Sequence, residues 1–449
     1  MKKANNKVNQ FLRDNKAIVI ILLLSFALSI FYSFYFQIKP LVDFQAYDNI
    51  AINIVDGYGY WETLVGDIEH DSAITRVGPL YQYFLAGVYY IFGHHYEPVW
   101  ILQAILHTLT AWLVYLTCLL IFKDRQGRKK IALIVAAIIG FYPDLIEASA
   151  MLMIENLYLF LNCLALYVFF RYFNKGNIWS AVLIGLIFGL ATLARPPVLF
   201  LAPVVLFFFY SKKRIMAGAL FIITLLLVFT PWIVRNYIVY DKFMPFGAAG
   251  AYNFWVGNYH GANGEQEQSQ EARDYYTAYG PIAIQGEAVR QFKNFVVEYP
   301  LEFVKLTFLR INKYFSIVRP MGFWFYQSGW SQFLFLLSSG IASVILFIFS
   351  LGGIIKSIKL KNEQLNYLMA LTIITPLIIF ITVVETRYRF QIYPLLAIFA
   401  GYFLVYLFSR PKFWLNKALW LAIIIIFVNG FIDLLLSMER FKERLGWFF

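Results

Sequence analysis

Residues 17–51 read AIVIILLLSFALSIFYSFYFQIKPLVDFQAYDNIA. The run from Ala17 to Phe36 carries no charge, and its length matches the ~20 apolar residues that a helix needs to cross a bilayer. A basic tail, Lys2, Lys3, Lys7, Arg13 and Lys16, precedes it, and no small-residue cleavage site follows. The segment therefore reads as an uncleaved first membrane helix rather than a signal peptide. Just beyond it comes an acidic motif, Asp43-Phe-Gln-Ala-Tyr47-Asp48-Asn-Ile-Ala51. A carboxylate so close to a bilayer surface, with Phe44 and Tyr47 beside it, points to polar chemistry at the membrane face.

The rest of the chain extends this reading. Of 449 residues, 60% are apolar and only 14% are charged, against ~25% charged in ordinary soluble domains. That excludes a soluble globular protein. The net charge of +12 would suggest nucleic acid in a soluble chain, but in a polytopic one it reports orientation, and no nucleic-acid partner is expected. Cys118 and Cys163 both fall in apolar runs, and the five histidines show no ligand spacing, so neither a disulfide framework nor a zinc site is expected.

Eleven apolar runs are candidate spans, at about 17–36, 99–122, 131–148, 155–172, 178–194, 197–210, 215–232, 332–355, 365–384, 391–408 and 416–436. The stretch 79–93 is apolar and aromatic but too short to span. If it crossed, the cluster Lys123, Arg125, Arg128, Lys129 and Lys130 would face outward, against the positive-inside rule. As a helix on the outer interface, it leaves that cluster inside with Arg171, Lys175, Lys212 to Arg214, Lys356 to Lys361 and Arg410 to Lys417. The expected architecture is an all-α polytopic membrane protein with about eleven transmembrane helices and a cytoplasmic amino terminus. Residues 1–232 form a transmembrane module with a first external loop at 37–98, residues 233–331 a long external loop, and residues 332–449 the C-terminal membrane helices. Within the long loop, a polar stretch from Gly257 to Ala272 precedes two helix-like segments, 283–299 and 300–318. The second carries Phe303, Phe308 and Phe315 beside Lys305, Arg310 and Lys313, the pattern of an interfacial helix.

Transporters commonly hold charged groups near the bilayer midplane. Here the span interiors are nearly free of charge, and the exceptions, among them Asp144, Glu147, Glu155, Arg195, Arg235, Glu385, Arg387, Arg389 and Asp433, hug the outer ends. Inside, His107 is the main candidate, and a hydrogen-bonded core histidine accounts for it. Glu155 lies where the chain emerges between two apolar runs, and an unpaired carboxylate there would be costly, so a cation, a metal or a substrate hydroxyl is its expected partner. Arg76, Arg195, Arg235, Arg387 and Arg389 supply the opposite charge; snorkelling explains such residues one by one, and convergence on a lipid-linked phosphate explains them together.

Taken in order, these motifs resemble the GT-C superfamily of polyprenyl-phosphate-sugar glycosyltransferases, in the branch of protein O-mannosyltransferases and the lipid A aminoarabinose transferase. The similar pieces are Asp43-x3-Tyr47-x3-Ala51, Arg76-Val-Gly78-Pro79-Leu80-Tyr81, Tyr142-Pro143 followed by Glu155, Ala194-Arg195-Pro196, Pro231-Trp232-x2-Arg235-Asn236-Tyr237, and Arg387-Tyr-Arg389-Phe-Gln-x2-Pro394. The resemblance implies an integral membrane enzyme of the cell envelope that moves a sugar from a polyprenyl-phosphate donor to an acceptor hydroxyl on a glycolipid, glycan or protein at the outer face, with inversion. By resemblance, Asp43 is the general base and Glu155 supports the acceptor, with Asp48 and Tyr47 beside them. Arg76, Arg235, Arg387 and Arg389 would bind the donor phosphate. A divalent metal, Mg or Mn, would fall to Glu155 and Asp43. The chain departs from the pattern in having Glu155 where many relatives carry Asp and in keeping its long loop and C-terminus short, with no soluble acceptor-binding domain expected in them. Two other readings share the spans and outer arginines: a lipid or oligosaccharide transporter, and a glycan polymerase of the envelope.

Overall fold

The computed structural model describes residues 15–319, 326, 327, 329–439 and 442. The basic tail Lys2, Lys3, Lys7 and Arg13, and part of the long loop 233–331, lie outside the described residues. Among the described residues the chain is helical, its strand-like pairing limited to one isolated bridge between Glu265 and Val384.

The helices of the first half are α1 (Lys16–Phe36), α2 (Asp43–Val55), α3 (Leu80–Phe92), α4 (Tyr96–Ile121), α5 (Arg128–Gly140), α6 (Pro143–Ala150), α7 (Ile154–Lys175), α8 (Ile178–Ala194), α9 (Ala202–Ser211) and α10 (Ile215–Tyr240). The long loop holds α11 (Ala249–Gly257), α12 (Gln270–Glu298) and α13 (Pro300–Phe315), and the remainder α14 (Gly329–Ser357), α15 (Glu363–Ile374), α16 (Leu377–Ile381), α17 (Tyr393–Phe408) and α18 (Lys417–Leu436). By length and composition eight of these segments can cross a membrane, nine if α5 and α6, bent by 49°, count as one. The other two apolar runs fall on shorter elements, Ile178–Ala194 and Pro196–Ser211. The bend sits at Tyr142-Pro143, where proline supplies the first turn of α6 and withholds the amide that would have continued α5. The chain is an integral membrane protein, and its outer helices show why: Leu23, Phe31 and Tyr35 of α1 and Trp420, Ile424 and Phe431 of α18 are exposed to what would be water, a cost that only lipid removes.

Small residues let the inner helices approach. A methyl group added at Gly185 would lie 2.6 Å from the Phe221 carbonyl oxygen, and one at Gly189 2.6 Å from Val228. This four-residue spacing on α8 seats α10 directly on its backbone, the arrangement that packs helices where no hydrophobic effect drives them together. Two sequence boundaries shift. The run that ends near 232 continues as helix to Tyr240, carrying Arg235 on α10, and α14 begins at Gly329, before the boundary at 331. In the loop, α13 begins at Pro300 as expected, but Arg310 and Lys313 turn inward and are buried, while Leu301 and Phe308 are exposed. His107 is likewise buried, its Nε2 3.3 Å from the Gly140 carbonyl.

Candidate functional site

The turn after α1 decides where Asp43 points. Val42 adopts a left-handed φ of 53°, uncommon for a β-branched residue, and the chain then enters α2 with Asp43 in its first turn. A carboxylate there is favoured by the helix dipole. Downstream, Asp71 organises the loop: its Oδ1 accepts from the amides of Glu62 and Ala73 at 2.9 Å each, and its Oδ2 from the amide and hydroxyl of Thr63 at 3.0 Å each. Segment 62–63 is thereby tied to the short 3-10 turn Ser72–Thr75, and Glu62 is brought to Arg76. The Arg76 guanidinium takes Glu62 with two bonds, 2.7 and 2.6 Å, and reaches Asp43 Oδ1 at 3.2 Å. Burial works against the charge on Arg76, but Glu62 and Asp43 outweigh it and hold its pKa above the ordinary arginine value.

From the far end of the chain comes Arg387, in the 3-10 segment Thr386–Ile392 that leads into α17. Its Nη2 donates to Asp43 Oδ2 at 3.1 Å, and its Nε to Glu385 at 2.5 Å. Asp43 is thus held between two arginines, one on each oxygen. Asp43, Glu385 and Arg387 line a polar cleft of about 530 Å³ together with Gln266, Glu267, Gln268 and Arg273 of the long loop; Arg76 touches Asp43 but does not itself line the cleft. The Asp43 side chain keeps 29% of its exposure, so solute in the cleft can reach it.

Behind Asp43 the chemistry continues inward. Tyr47, one helical turn on, is buried, and Asp43, Arg387, Glu155 and Arg195 all bear electrostatically on its hydroxyl. Burial first, then the Asp43 charge, push its phenol well above the usual value, so it remains an O–H donor. Glu155, 2% exposed in the first turn of α7, pairs with Arg195 at 3.4 Å, and Arg195 lies over the Tyr388 ring at 4.9 Å.

The structure thus brings together Asp43, Arg76 and Arg387, with Tyr47 and Glu155 behind them. Three residues expected at the site are placed elsewhere. Asp48 accepts from the hydroxyls of Tyr89 at 2.6 Å and Tyr96 at 2.7 Å and faces His94 Nε2 at 3.1 Å, so it ties α2 to α3 and α4. Arg389, 1% exposed, donates to the carbonyls of Arg319 at 2.9 Å and Lys313 at 2.7 Å. Arg235 packs among the rings of Tyr60, Trp232 and Tyr240 at 5.5, 5.2 and 5.2 Å and is not among the residues lining the cleft. Sequence reasoning also missed Glu62 as the partner of Arg76, and the loop residues from Gln266 to Arg273. No local signal marks the first. The second falls, apart from Arg273, in the polar Gly257–Ala272 stretch, whose composition shows that it is surface but not what it covers.

The residues do not fit a divalent ion. Both oxygens of Asp43 face guanidinium groups and Glu155 faces Arg195. Among the described residues no three His, Cys, Asp or Glu side chains converge as metal ligands.

Residues 76–234 match the family described as dolichyl-phosphate-mannose-protein mannosyltransferase. No curated protein matches the sequence. Among solved structures, the apo oligosaccharyltransferase of Archaeoglobus fulgidus aligns with a TM-score of 0.55 at 16% identity, over 94% of this chain and 56% of its own. The same enzyme with an inhibitory peptide and a dolichol-phosphate aligns at 0.52 and 15% identity, over 96% and 56%. Its complex with zinc and sulfate aligns at 0.50 and 15% identity, over 93% and 53%. The chain spans little more than half the length of these structures, and at such identity the likeness is one of fold. By fold over nearly the whole chain, and by sequence over residues 76–234, the comparisons bear out the resemblance to the GT-C superfamily that the sequence motifs carry.

Proposed function

We propose that this protein transfers a sugar from a polyprenyl-phosphate donor to an acceptor hydroxyl at the outer face of the plasma membrane, with inversion, and that its eleven apolar runs all cross the bilayer with the amino terminus inside. The observation that carries this reading is Asp43 held between Arg76 and Arg387 at the mouth of a polar cleft.

The leaving group of such a donor is a phosphate, which departs without a general acid, so the site must stabilise negative charge on one side and remove a proton on the other. Guanidinium groups bind phosphate oxygens in a forked geometry. An arriving phosphate competes with Asp43 for Arg387 and Arg76. The displaced carboxylate then accepts the proton of the acceptor hydroxyl as that oxygen attacks the anomeric carbon. Arg76 is the weaker participant, because Glu62 already occupies two of its nitrogens. Tyr47 and the Glu155–Arg195 pair form the polar wall behind. No step is routed through a metal, since both Asp43 oxygens already bond to arginines and, among the described residues, no three His, Cys, Asp or Glu side chains converge as ligands.

The test is a transfer assay. Purified protein in detergent should move labelled sugar from a panel of polyprenyl-phosphate sugars to a glycolipid or peptide acceptor, with inverted product. Asp43→Asn should lower turnover by ~10²-fold or more, since it removes the proton acceptor and keeps its shape. Absence of transfer from every donor, or near-normal turnover in the variant, would contradict the reading. For sidedness, a cysteine at Gln126 should resist an impermeant thiol reagent in intact cells, and labelling there would reverse the topology.

A further inference from the structure

The long loop contributes a second feature that the transfer reaction does not use directly. Between α11 and α12 the segment 258–269 forms a strap that is fastened at several points. The Arg310 guanidinium holds the Gly257 carbonyl, Asn258 Oδ1 at 2.9 Å and the Phe380 carbonyl at 3.1 Å. The Gly264 carbonyl accepts from the Val384 amide at 3.0 Å. Gly264 itself needs its φ of 79°, and a methyl group there would lie 3.1 Å from Arg310 Cγ. Glu265 then receives Lys313 at 2.8 Å and Arg319 at 2.5 Å, and Arg319 reaches on to Asp433 of α18 at 2.6 Å.

These fastenings end one residue before the cleft. Gln266, Glu267 and Gln268 follow at once, exposed and lining the same cleft as Asp43 and Arg387. The strap is pinned to residues 380–384, the stretch that leads directly into Glu385 and Arg387, so cleft floor and strap share one anchor. Within the strap, Asn263 Nδ2 donates to Glu267 at 2.5 Å. A carboxamide both donates and accepts hydrogen bonds, which suits hydroxyl groups, themselves donors and acceptors. The cleft lining carries three carboxylates, Asp43, Glu267 and Glu385, against two guanidiniums, Arg273 and Arg387. That balance disfavours an acidic sugar beyond the phosphate itself.

Resting on the glycosyl-transfer reading of this cleft, we infer that Gln266 and Gln268 read the hydroxyls of a neutral sugar ring carried by the donor. The Lys313–Glu265–Arg319–Asp433 clamp is the positioning device that keeps them over the cleft.

The test compares binding of bare polyprenyl phosphate with polyprenyl-phosphate mannose, glucose and galactose to the full-length protein in detergent, which needs no turnover. In the wild type at least one hexose should bind more tightly than the bare phosphate. The double variant Gln266→Ala/Gln268→Ala should erase ~10-fold of that gain, the scale of two lost neutral hydrogen bonds, and leave the bare phosphate affinity unchanged. Glu265→Gln should erase part of the same gain. The inference is overturned if no hexose improves on the bare phosphate, if the gain survives the double variant, or if both affinities fall together. Failure of the function reading looks different: hexose selectivity would respond as stated while no donor supports transfer.

Discussion

Two charge clusters of nearly the same composition serve opposite ends. At the cleft, Asp43, Glu62 and Glu385 meet Arg76 and Arg387; under the strap, Glu265 and Asp433 meet Lys313 and Arg319. The side chains of Asp43, Arg76 and Glu385 keep 29%, 26% and 27% of their exposure and those of Arg387 and Glu62 11% each, whereas Glu265 keeps 12%, Arg319 7%, Lys313 4% and Asp433 0%. Ion pairs open to solvent are worth little and exchange partners readily. Pairs cut off from water are costly to break, because the survivor is left charged and unsolvated. The difference lies in one carboxylate of each cluster, Asp43 at 29% exposure and Asp433 at 0%, rather than in composition, and it is this difference that the proposed exchange of arginines between Asp43 and a ligand rests on.

That contrast can be broken by substitution. The largest effect is expected at the cleft: Arg387→Ala should weaken binding of bare polyprenyl phosphate by ~10- to 100-fold, the scale of a lost charge-assisted contact. Arg387→Lys should recover only part of it, since lysine lacks the forked geometry. A residue that only anchors the protein at the interface would tolerate lysine fully. Two positions on, Arg389→Lys should leave phosphate affinity alone and lower the apparent melting temperature instead. At the clamp, Asp433→Ala should destabilise the fold by about 3 kcal/mol, the lower end of the range for a broken buried pair, since Glu265 still shares Arg319. Its readout is thermal unfolding in detergent, with phosphate affinity unchanged. The smallest effect belongs to Asp48→Asn, which should cost about 1 kcal/mol of stability through weaker bonds to Tyr89 and Tyr96 and leave turnover close to wild type. A large loss of turnover there would mean that Asp48 serves the reaction after all.

The same comparison shows what could be read from the chain. Membrane helices, the short helix after Pro79 and the position of Asp43 just past the first membrane helix follow from apolar run length and from charge placed at run ends, both local properties. Partnership is not local. Asp43 meets Arg387 across 344 positions and Arg76 across 33, and no spacing rule connects them. Side-chain direction within short elements was also hidden. Asp43 and Asp48 are five residues apart on α2 and so point about 140° apart around a helix, which sends one to the cleft and the other to Tyr89, Tyr96 and His94. Arg387 and Arg389 sit in a 3-10 segment, where a separation of two residues turns side chains about 120° apart. One reaches Asp43, the other the carbonyls of Lys313 and Arg319. A motif that contains both arginines cannot say which of them faces the ligand.

The central claim is that the donor phosphate and Asp43 compete for the same arginines. The most direct measurement is the affinity of bare polyprenyl phosphate for the wild type and for Asp43→Asn, at equal ionic strength in detergent. Removing the competing carboxylate charge should tighten binding of the phosphate severalfold while turnover collapses, two effects of opposite sign from one substitution. Weaker or unchanged phosphate binding in Asp43→Asn would show that the carboxylate and the phosphate do not share Arg76 and Arg387, and would contradict the account.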